Sequence, residues 1–248
     1  MTALARGLEV LASFRAGDSM LSNGDIAGRC RLPKSTVSRL TYTLTRLGYL
    51  QYVEEHGKYR LGSAALAVGT AMLSRMNIRQ VARPMMQELA DFAGAVVALG
   101  VRVQLGIIYV EVCRSQAALT LILDVGSRVP LATTAIGRSY LAVISEEERE
   151  QTMSELRAAE GSGWPKIRDA IDAALLEYRR IGCCSSFGEW QPEVNGIAVG
   201  IRPGPGLPPM AINCGGAAFN LPPAFLLEKV RPRLIALVRR LEASLRQE

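Results

Sequence analysis

Two groups of side chains in this sequence could do chemistry. The first is a set of thiols: Cys30, Cys113, Cys183, Cys184 and Cys214. A thiol becomes a nucleophile only beside a base or cation that holds its thiolate. The single histidine, His56, sits between Glu55 and Gly57 in a turn-forming stretch. One histidine in the whole chain removes most Ser-His, Cys-His and multi-His metal chemistry. The thiols therefore read as packing residues in apolar surroundings, and His56 as an exposed turn residue. The second group is denser. Lys34, Ser35, Thr36, Ser38, Arg39, Tyr42 and Arg46 crowd one short stretch, and Lys58 and Arg60 follow closely. Cations and hydroxyls with no acid among them suit the base edges and phosphates of DNA.

The elements around that second group have a definite order. Ala3 to Phe14 carries Leu4, Leu8 and Leu11 at helical spacing and ends at Gly17-Asp18. A second helix fits Ser22 to Cys30, with Ser22 as N-cap and Asp25 three residues on. Pro33 suits the first turn of a third helix running to Leu47, with Gly48 as its C′ residue. At 100° per residue, Val37, Leu40, Leu44 and Leu47 make its core-facing stripe. Ser35, Ser38, Arg39, Tyr42 and Arg46 fall on the opposite side, with Lys34 and Thr36 flanking the helix start. Two short strands, Tyr49–Glu54 and Lys58–Leu61, are joined by Glu55-His56-Gly57. Strand alternation puts Lys58 and Arg60 on one face, in reach of a phosphate or the minor groove. This is the order of a winged helix-turn-helix.

Charge agrees with that placement. Residues 1–75 hold ten Lys/Arg and five Asp/Glu, a net +5 out of the chain's +6. Such an asymmetry describes either a module facing a polyanion or a solvated basic surface. At 248 residues the chain is long enough for one large or two smaller domains, and 49% apolar content excludes a disordered or fibrous chain. No uninterrupted apolar run reaches about 18 residues, so no transmembrane helix is expected. Arg6 and Glu9 interrupt the N-terminal apolar run, which is not read as a signal peptide. An odd number of cysteines with no C-x-x-C spacing makes a disulfide framework or zinc site improbable, and points to a reducing cytoplasm. No cofactor is expected.

Beyond residue 62 the pattern changes twice. Ser63–Met76 reads as a linker helix, and Arg79–Phe92 as another helix ending at Gly94. Strands are expected at Ala95–Val101, Gln104–Val112 and Leu119–Val125, then helices at Thr134–Val143, Glu146–Ala159 and Lys166–Ile181. Ser145-Glu146-Glu147-Glu148 forms a capping box, so its acids mark a helix start and not a metal site. Strands at Cys183–Ser186, Gly196–Ile201 and Met210–Cys214 precede a last helix from Pro222-Pro223 to about Arg246. The fold class is α+β, with a largely antiparallel sheet in the C-terminal two-thirds.

The segment Leu32-Pro33-Lys34-Ser35-Thr36, with Arg39-Leu40, Leu47-Gly48-Tyr49 and Tyr59-Arg60-Leu61-Gly62, resembles the N-terminal module of the isocitrate-lyase-regulator (IclR) family of bacterial transcription factors. The resemblance continues, more loosely, through Val129–Arg138, Gly188-Glu189-Trp190-Gln191-Pro192 and Ile197-Ala198. It implies a winged helix-turn-helix over 1–62, a linker helix over 63–78 and a GAF-like effector-binding and oligomerisation domain over 79–248. It also implies a homodimer, or a dimer of dimers, on a palindromic DNA operator near a catabolic operon, with a small organic acid as effector. Lys34, Ser35, Thr36, Ser38 and Arg39 match the family's recognition-helix motif. Arg31 stands where the family usually has glycine, so the preceding turn is expected to differ or Arg31 to add a phosphate contact.

By the same resemblance, Leu121, Val129, Ala135 and Ile136 would form the apolar wall of an effector pocket. Ser186, Gly196, Asn213 and Gly215 fall where the family often places polar or thiol side chains. Two of those four are glycine, which leaves room for a bulkier, aromatic acid. Ala135-Ile136-Gly137 would offer backbone N–H groups to a carboxylate at a helix start. Two other readings stay open. The C-terminal domain could bind nothing and serve only for assembly, or it could be an enzyme using one of its cysteines. Trp190 and Tyr109 do not discriminate, since each fits a core as readily as a surface.

Overall fold

The computed structural model describes residues 2–15, 17–73, 78–116, 123–204 and 207–245. The chain divides into two compact units, Met1–Met76 and Asn77–Glu248. Among the described residues, no helix is long and apolar enough to cross a membrane.

In the first unit, three helices pack against a three-stranded antiparallel sheet. They are α1 (Ala3–Ala12), α2 (Asn23–Cys30) and α3 (Lys34–Arg46), with strands β1 (Leu21–Ser22), β2 (Leu50–Val53) and β3 (Lys58–Leu61) in the order β1-β3-β2. Ser22 caps α2 in a reciprocal box with Asp25, satisfying backbone donors that the first turn leaves open. Val10, Leu21, Ile26, Ala27, Val37 and Leu50 form the core. Burying a side chain of the larger kind stabilises by roughly 1.5–3 kcal/mol.

Three local readings of α3 and its neighbours change. Pro33 is the N-cap, one residue before the helix, because its extended ψ of 141° cannot start a helical turn. Leu47, expected in the core stripe, is 61% exposed, and Thr41 is fully buried instead. Its hydroxyl is satisfied locally, donating to Val37 O at 3.0 Å with Ser38 O at 3.2 Å, so a polar residue fills the position without loss. The turn of Glu54–His56 is a 3-10 turn closed by Gly57 at φ +61°, and His56 is exposed.

The linker helix α4 (Ser63–Leu73) follows. The second unit begins with α5 (Ile78–Ala93), then β4 (Val96–Val103), β5 (Gly106–Arg114) and β6 (Arg128–Pro130). Helices α6 (Ala135–Val143), α7 (Glu146–Glu160) and α8 (Trp164–Ile181) come next. Strands β7 (Cys184–Phe187), β8 (Val194–Ile201) and β9 (Met210–Ala217) complete an antiparallel sheet ordered β6-β5-β4-β9-β8-β7. The chain ends in a helix whose short start, α9 (Pro223–Phe225), passes through a π-helical turn at Leu226–Val230 into α10 (Arg231–Leu245). The expected single helix is thus interrupted. Pro232 accounts for the place, since its ring and missing N–H disrupt the turn before it.

Of the expected strand at Leu119–Val125, residues 119–122 lie outside the described residues and Leu123–Val125 is not strand. The third strand is instead β6, which pairs with β5 through Ile107↔Val129. α5 covers one sheet face, where the Cys113 thiol donates to Arg83 O at 3.5 Å. α6 covers the other, in a core with Ile107, Tyr109, Ala98, Ala198 and Ala211. Gly137 lets the turn before α6 pass close against the helix, because a Cβ there would fall 2.1 Å from Leu131 O. The box of Ser145 with Glu148 caps α7 as read from the sequence.

Candidate DNA interface and effector pocket

The outer face of α3 is built by the same capping and packing that fix its core face. Val37 and Thr41 face inward, which turns Ser35, Ser38, Arg39, Tyr42 and Arg46 outward, all exposed, with Lys34 exposed and Thr36 half-buried at the start. Tyr42 is 68% exposed. Lys34, Arg39, Arg46 and Lys58 form no ion pair among the described residues. Ser38 is less free than its exposure implies. It accepts from Asn23 Nδ2 at 2.5 Å and donates to Lys34 O at 3.0 Å, tying α3 to the start of α2. On β3, Lys58 and Arg60 point out while Tyr59 packs against the core, and Arg60 Nε donates to Gln51 Oε1 at 3.0 Å. The turn before α3 keeps a left-handed residue, Arg31 at φ +53°, and that geometry is one glycine adopts without strain.

In the second unit, seven of the eight residues expected at a pocket line one recess: Val129, Ala135, Ile136, Ser186, Gly196, Asn213 and Gly215. Leu121 lies outside the described residues. The recess holds a cavity of about 40 Å3 and is also lined by Tyr109, Leu123, Thr134, Trp190, Val194 and Asn195. Its floor is the N-terminus of α6. Thr134, the N-cap, accepts from Gly137 N at 3.2 Å and donates to Pro130 O at 2.6 Å. With Gly137 N taken by the cap, the backbone N–H groups of Ala135 and Ile136 are what remains of the three expected there. The Ser186 hydroxyl donates to Thr133 O at 2.8 Å, so it holds the turn before α6.

Gly196 and Gly215 are opposite each other across β8 and β9. A Cβ at Gly196 would meet only backbone, at 3.4 and 3.5 Å, so a side chain there would enter free space. At Gly215 a Cβ would crowd Asn195 O at 3.0 Å. The room expected from two glycines is therefore real at Gly196 and slight at Gly215. Asn213 Nδ2 donates to the Tyr109 hydroxyl at 3.3 Å, while Asn213 Oδ1 is buried without a partner. Burial pushes the Tyr109 hydroxyl up to about 12, against the lowering effect of Asn213. Tyr109 is only 3% exposed and Trp190 is half-buried, so both belong to the pocket wall rather than to the surface.

Outside the recess, burial pushes the Cys183, Cys184 and Cys214 thiols up to about 12. Such thiols are the reverse of activated. All five cysteines are free. Among the described residues, no group of three or more His, Cys, Asp or Glu could hold a metal ion.

The family model for the bacterial transcriptional regulator IclR C-terminal domain matches residues 70–241, and that for the IclR helix-turn-helix domain matches residues 3–54. This chain belongs to the IclR family. It is a DNA-binding transcriptional regulator of that family, with an N-terminal helix-turn-helix and a C-terminal α/β domain. The HTH-type transcriptional regulator TsaQ1/TsaQ2 of Comamonas testosteroni is 34% identical over 98% of this chain and 88% of its own length. The crystal structure of an IclR-family regulator from Brucella abortus is 42% identical with a TM-score of 0.88, covering 98% of this chain and 92% of that one. An IclR homologue from Microbacterium hydrocarbonoxydans, complexed with 4-hydroxybenzoate, is 26% identical with a TM-score of 0.76 over the whole of both chains.

Within this IclR-family chain, the sequence alone missed Tyr109, Leu123, Thr134, Trp190, Val194 and Asn195 as lining residues. Thr134 carried a usable signal, an N-cap residue at a helix start beside the two lining residues already named. The others come from four different segments, and no spacing along the chain announces their meeting.

Proposed function

We propose that this regulator senses a small organic acid in the recess of its C-terminal unit and thereby alters its hold on a palindromic operator, controlling a catabolic operon. The convergence of a mostly apolar recess on the free N–H groups of Ala135 and Ile136 carries this reading. A helix N-terminus favours a carboxylate through open donors and the helix dipole. Val129, Leu123 and Trp190 supply an apolar wall for a ring or chain, and Asn213 and Ser186 supply polar ends. The IclR homologue solved with 4-hydroxybenzoate makes an aromatic carboxylate the first ligand to test.

On the DNA side, Lys34, Ser35, Thr36, Ser38, Arg39, Tyr42 and Arg46 enter the major groove, and Lys58 and Arg60 grip the flanking backbone. Residues 1–62 act as the DNA-binding domain, 63–78 as linker helix and 79–248 as the effector and oligomerisation domain. One copy of this short basic surface would bind weakly and salt-sensitively, so two copies read two half-sites about 34 Å apart. Leu4 and Leu8 on α1 are 74% and 58% exposed, and Leu66 and Val68 on α4 are 68% and 61% exposed. Apolar side chains left open in this way support a second copy of the chain as partner, as a dimer or a dimer of dimers. Five free cysteines fit a reducing cytoplasm.

Calorimetric titration of the full chain with aromatic and aliphatic carboxylates, 4-hydroxybenzoate first, tests the sensor. A saturable micromolar response, weakened in Asn213→Ala, supports it. Silence across the panel with intact binding to its own upstream DNA would favour a C-terminal unit that serves only for assembly.

A further inference from the structure

In a regular strand Tyr109 and Glu111 would share a face, since side chains alternate with a period of two. In β5 they do not. Leu99 pairs with Glu111 and the next residue, Gly100, pairs with Tyr109, so one step along β4 spans two steps along β5. Val110 is the extra residue of a β-bulge. The bulge splits its neighbours between the two sides of the sheet. Tyr109 enters the recess and meets Asn213. Glu111, 4% exposed, faces α5 and takes ion pairs from Arg79, at 3.2 Å, and from Arg83.

We infer that this bulge couples the recess to the first turns of α5, with Tyr109 and Glu111 as its two positioning residues. The inference rests on the recess being the effector site. A buried carboxylate separated from its cations is strongly disfavoured, so Arg79 and Arg83 must follow Glu111 when it moves. Glu111 is two residues from Tyr109, with Val110 between them, in a strand whose other pairings are regular, so a ligand that turns Tyr109 turns Glu111 with it. Val110, unpaired between them, lets both residues turn together while the ladder on either side stays intact. α5 is also the first helix of the second unit, following α4 and the DNA-binding unit in the chain. A displacement at the pocket is thereby delivered to the first helix of the second unit.

Amide hydrogen exchange on the full chain, without ligand, tests the coupling. Tyr109→Phe removes the hydroxyl and its Asn213 bond but keeps the ring. Val129→Ala enlarges the same recess from β6, away from the bulge. Exchange at residues 79–86, measured relative to β8, should rise about fivefold or more in Tyr109→Phe and stay unchanged in Val129→Ala. By reciprocity, Glu111→Gln should raise exchange at Gly126, whose N–H donates to Tyr109 O at 2.8 Å. If Glu111→Gln does not fold, Tyr109→Phe decides alone. Unchanged exchange at 79–86 in Tyr109→Phe, or an equal rise in Val129→Ala, overturns the coupling. Because no effector is added, a failed carboxylate titration would count against the sensor reading and leave this result standing.

Discussion

Arg138 and Glu189 meet in a two-pronged ion pair, 2.9 and 2.6 Å, although 51 residues separate them. The guanidinium is 4% exposed and the carboxylate 42%. Arg138 Nε also donates to Ala132 O at 2.9 Å. The pair therefore anchors the loop bearing Trp190 to the start of α6. Removing the carboxylate leaves a buried cation with only part of its bonds. Glu189→Ala should destabilise the fold by about 2 kcal/mol, less than for a fully buried pair because Glu189 is partly hydrated. A urea midpoint that does not move would show that Arg138 finds water instead.

Asp18 and Arg29 form the corresponding clasp in the first unit, at 2.5 Å. The bond from Arg29, with a second from the Arg15 backbone, holds the Asp18 carboxyl down at about 2 from its ordinary 3.8. A folded-state value below the unfolded one stabilises the fold above about pH 4, and that contribution fades as pH falls toward 2. The stability difference between the native chain and Asp18→Asn should accordingly be full at pH 7 and vanish near pH 2. A difference that stays constant across an acid titration would contradict it.

Much of the first unit was legible because its determinants are local. Ser22 with Asp25, Gly48 after α3 and the wing turn at Gly57 are each set by residues within a few positions. Thr41 was not picked out, because periodicity sees residue type and not the local bond that lets a hydroxyl sit in a core. The recess was half legible, and only through the family resemblance, which named Ala135 and Ile136, while Tyr109 arrives through a register shift of one residue. No pattern of apolar and polar types marks Val110 as the extra residue, because buried strands of this kind are apolar on both faces.

Arg31 gives a prediction with two opposed readouts. It is held at φ +53° at the end of α2, where a side chain costs up to about 1–2 kcal/mol relative to glycine. Arg31→Gly should raise stability by about 0.5–1 kcal/mol, the remainder being lost to the greater freedom of glycine in the unfolded chain. The same change removes an exposed cation next to α3, so operator affinity should fall. Greater stability with unchanged DNA binding would leave Arg31 with no role at the phosphate backbone.

Arg39 and Lys58 should fail in different ways. Arg39 lies on the outer face of α3 with no acidic partner, free to fork onto a guanine edge. Arg39→Ala should cost about 1–3 kcal/mol on the operator and much less on random duplex, relaxing preference at one base pair in each half-site. Lys58 sits on the wing, where a compact ammonium meets phosphates without reading sequence. Lys58→Ala should weaken operator and random duplex alike, and reduce the slope of log affinity against log salt by about 0.9 for each copy of the chain bound. Fluorescence anisotropy on both duplexes from 50 to 200 mM salt, a range of about the width over which such contacts are lost, separates the two outcomes. If Arg39→Ala weakened both duplexes equally, α3 would be a backbone anchor, and sequence would have to be read elsewhere on the first unit.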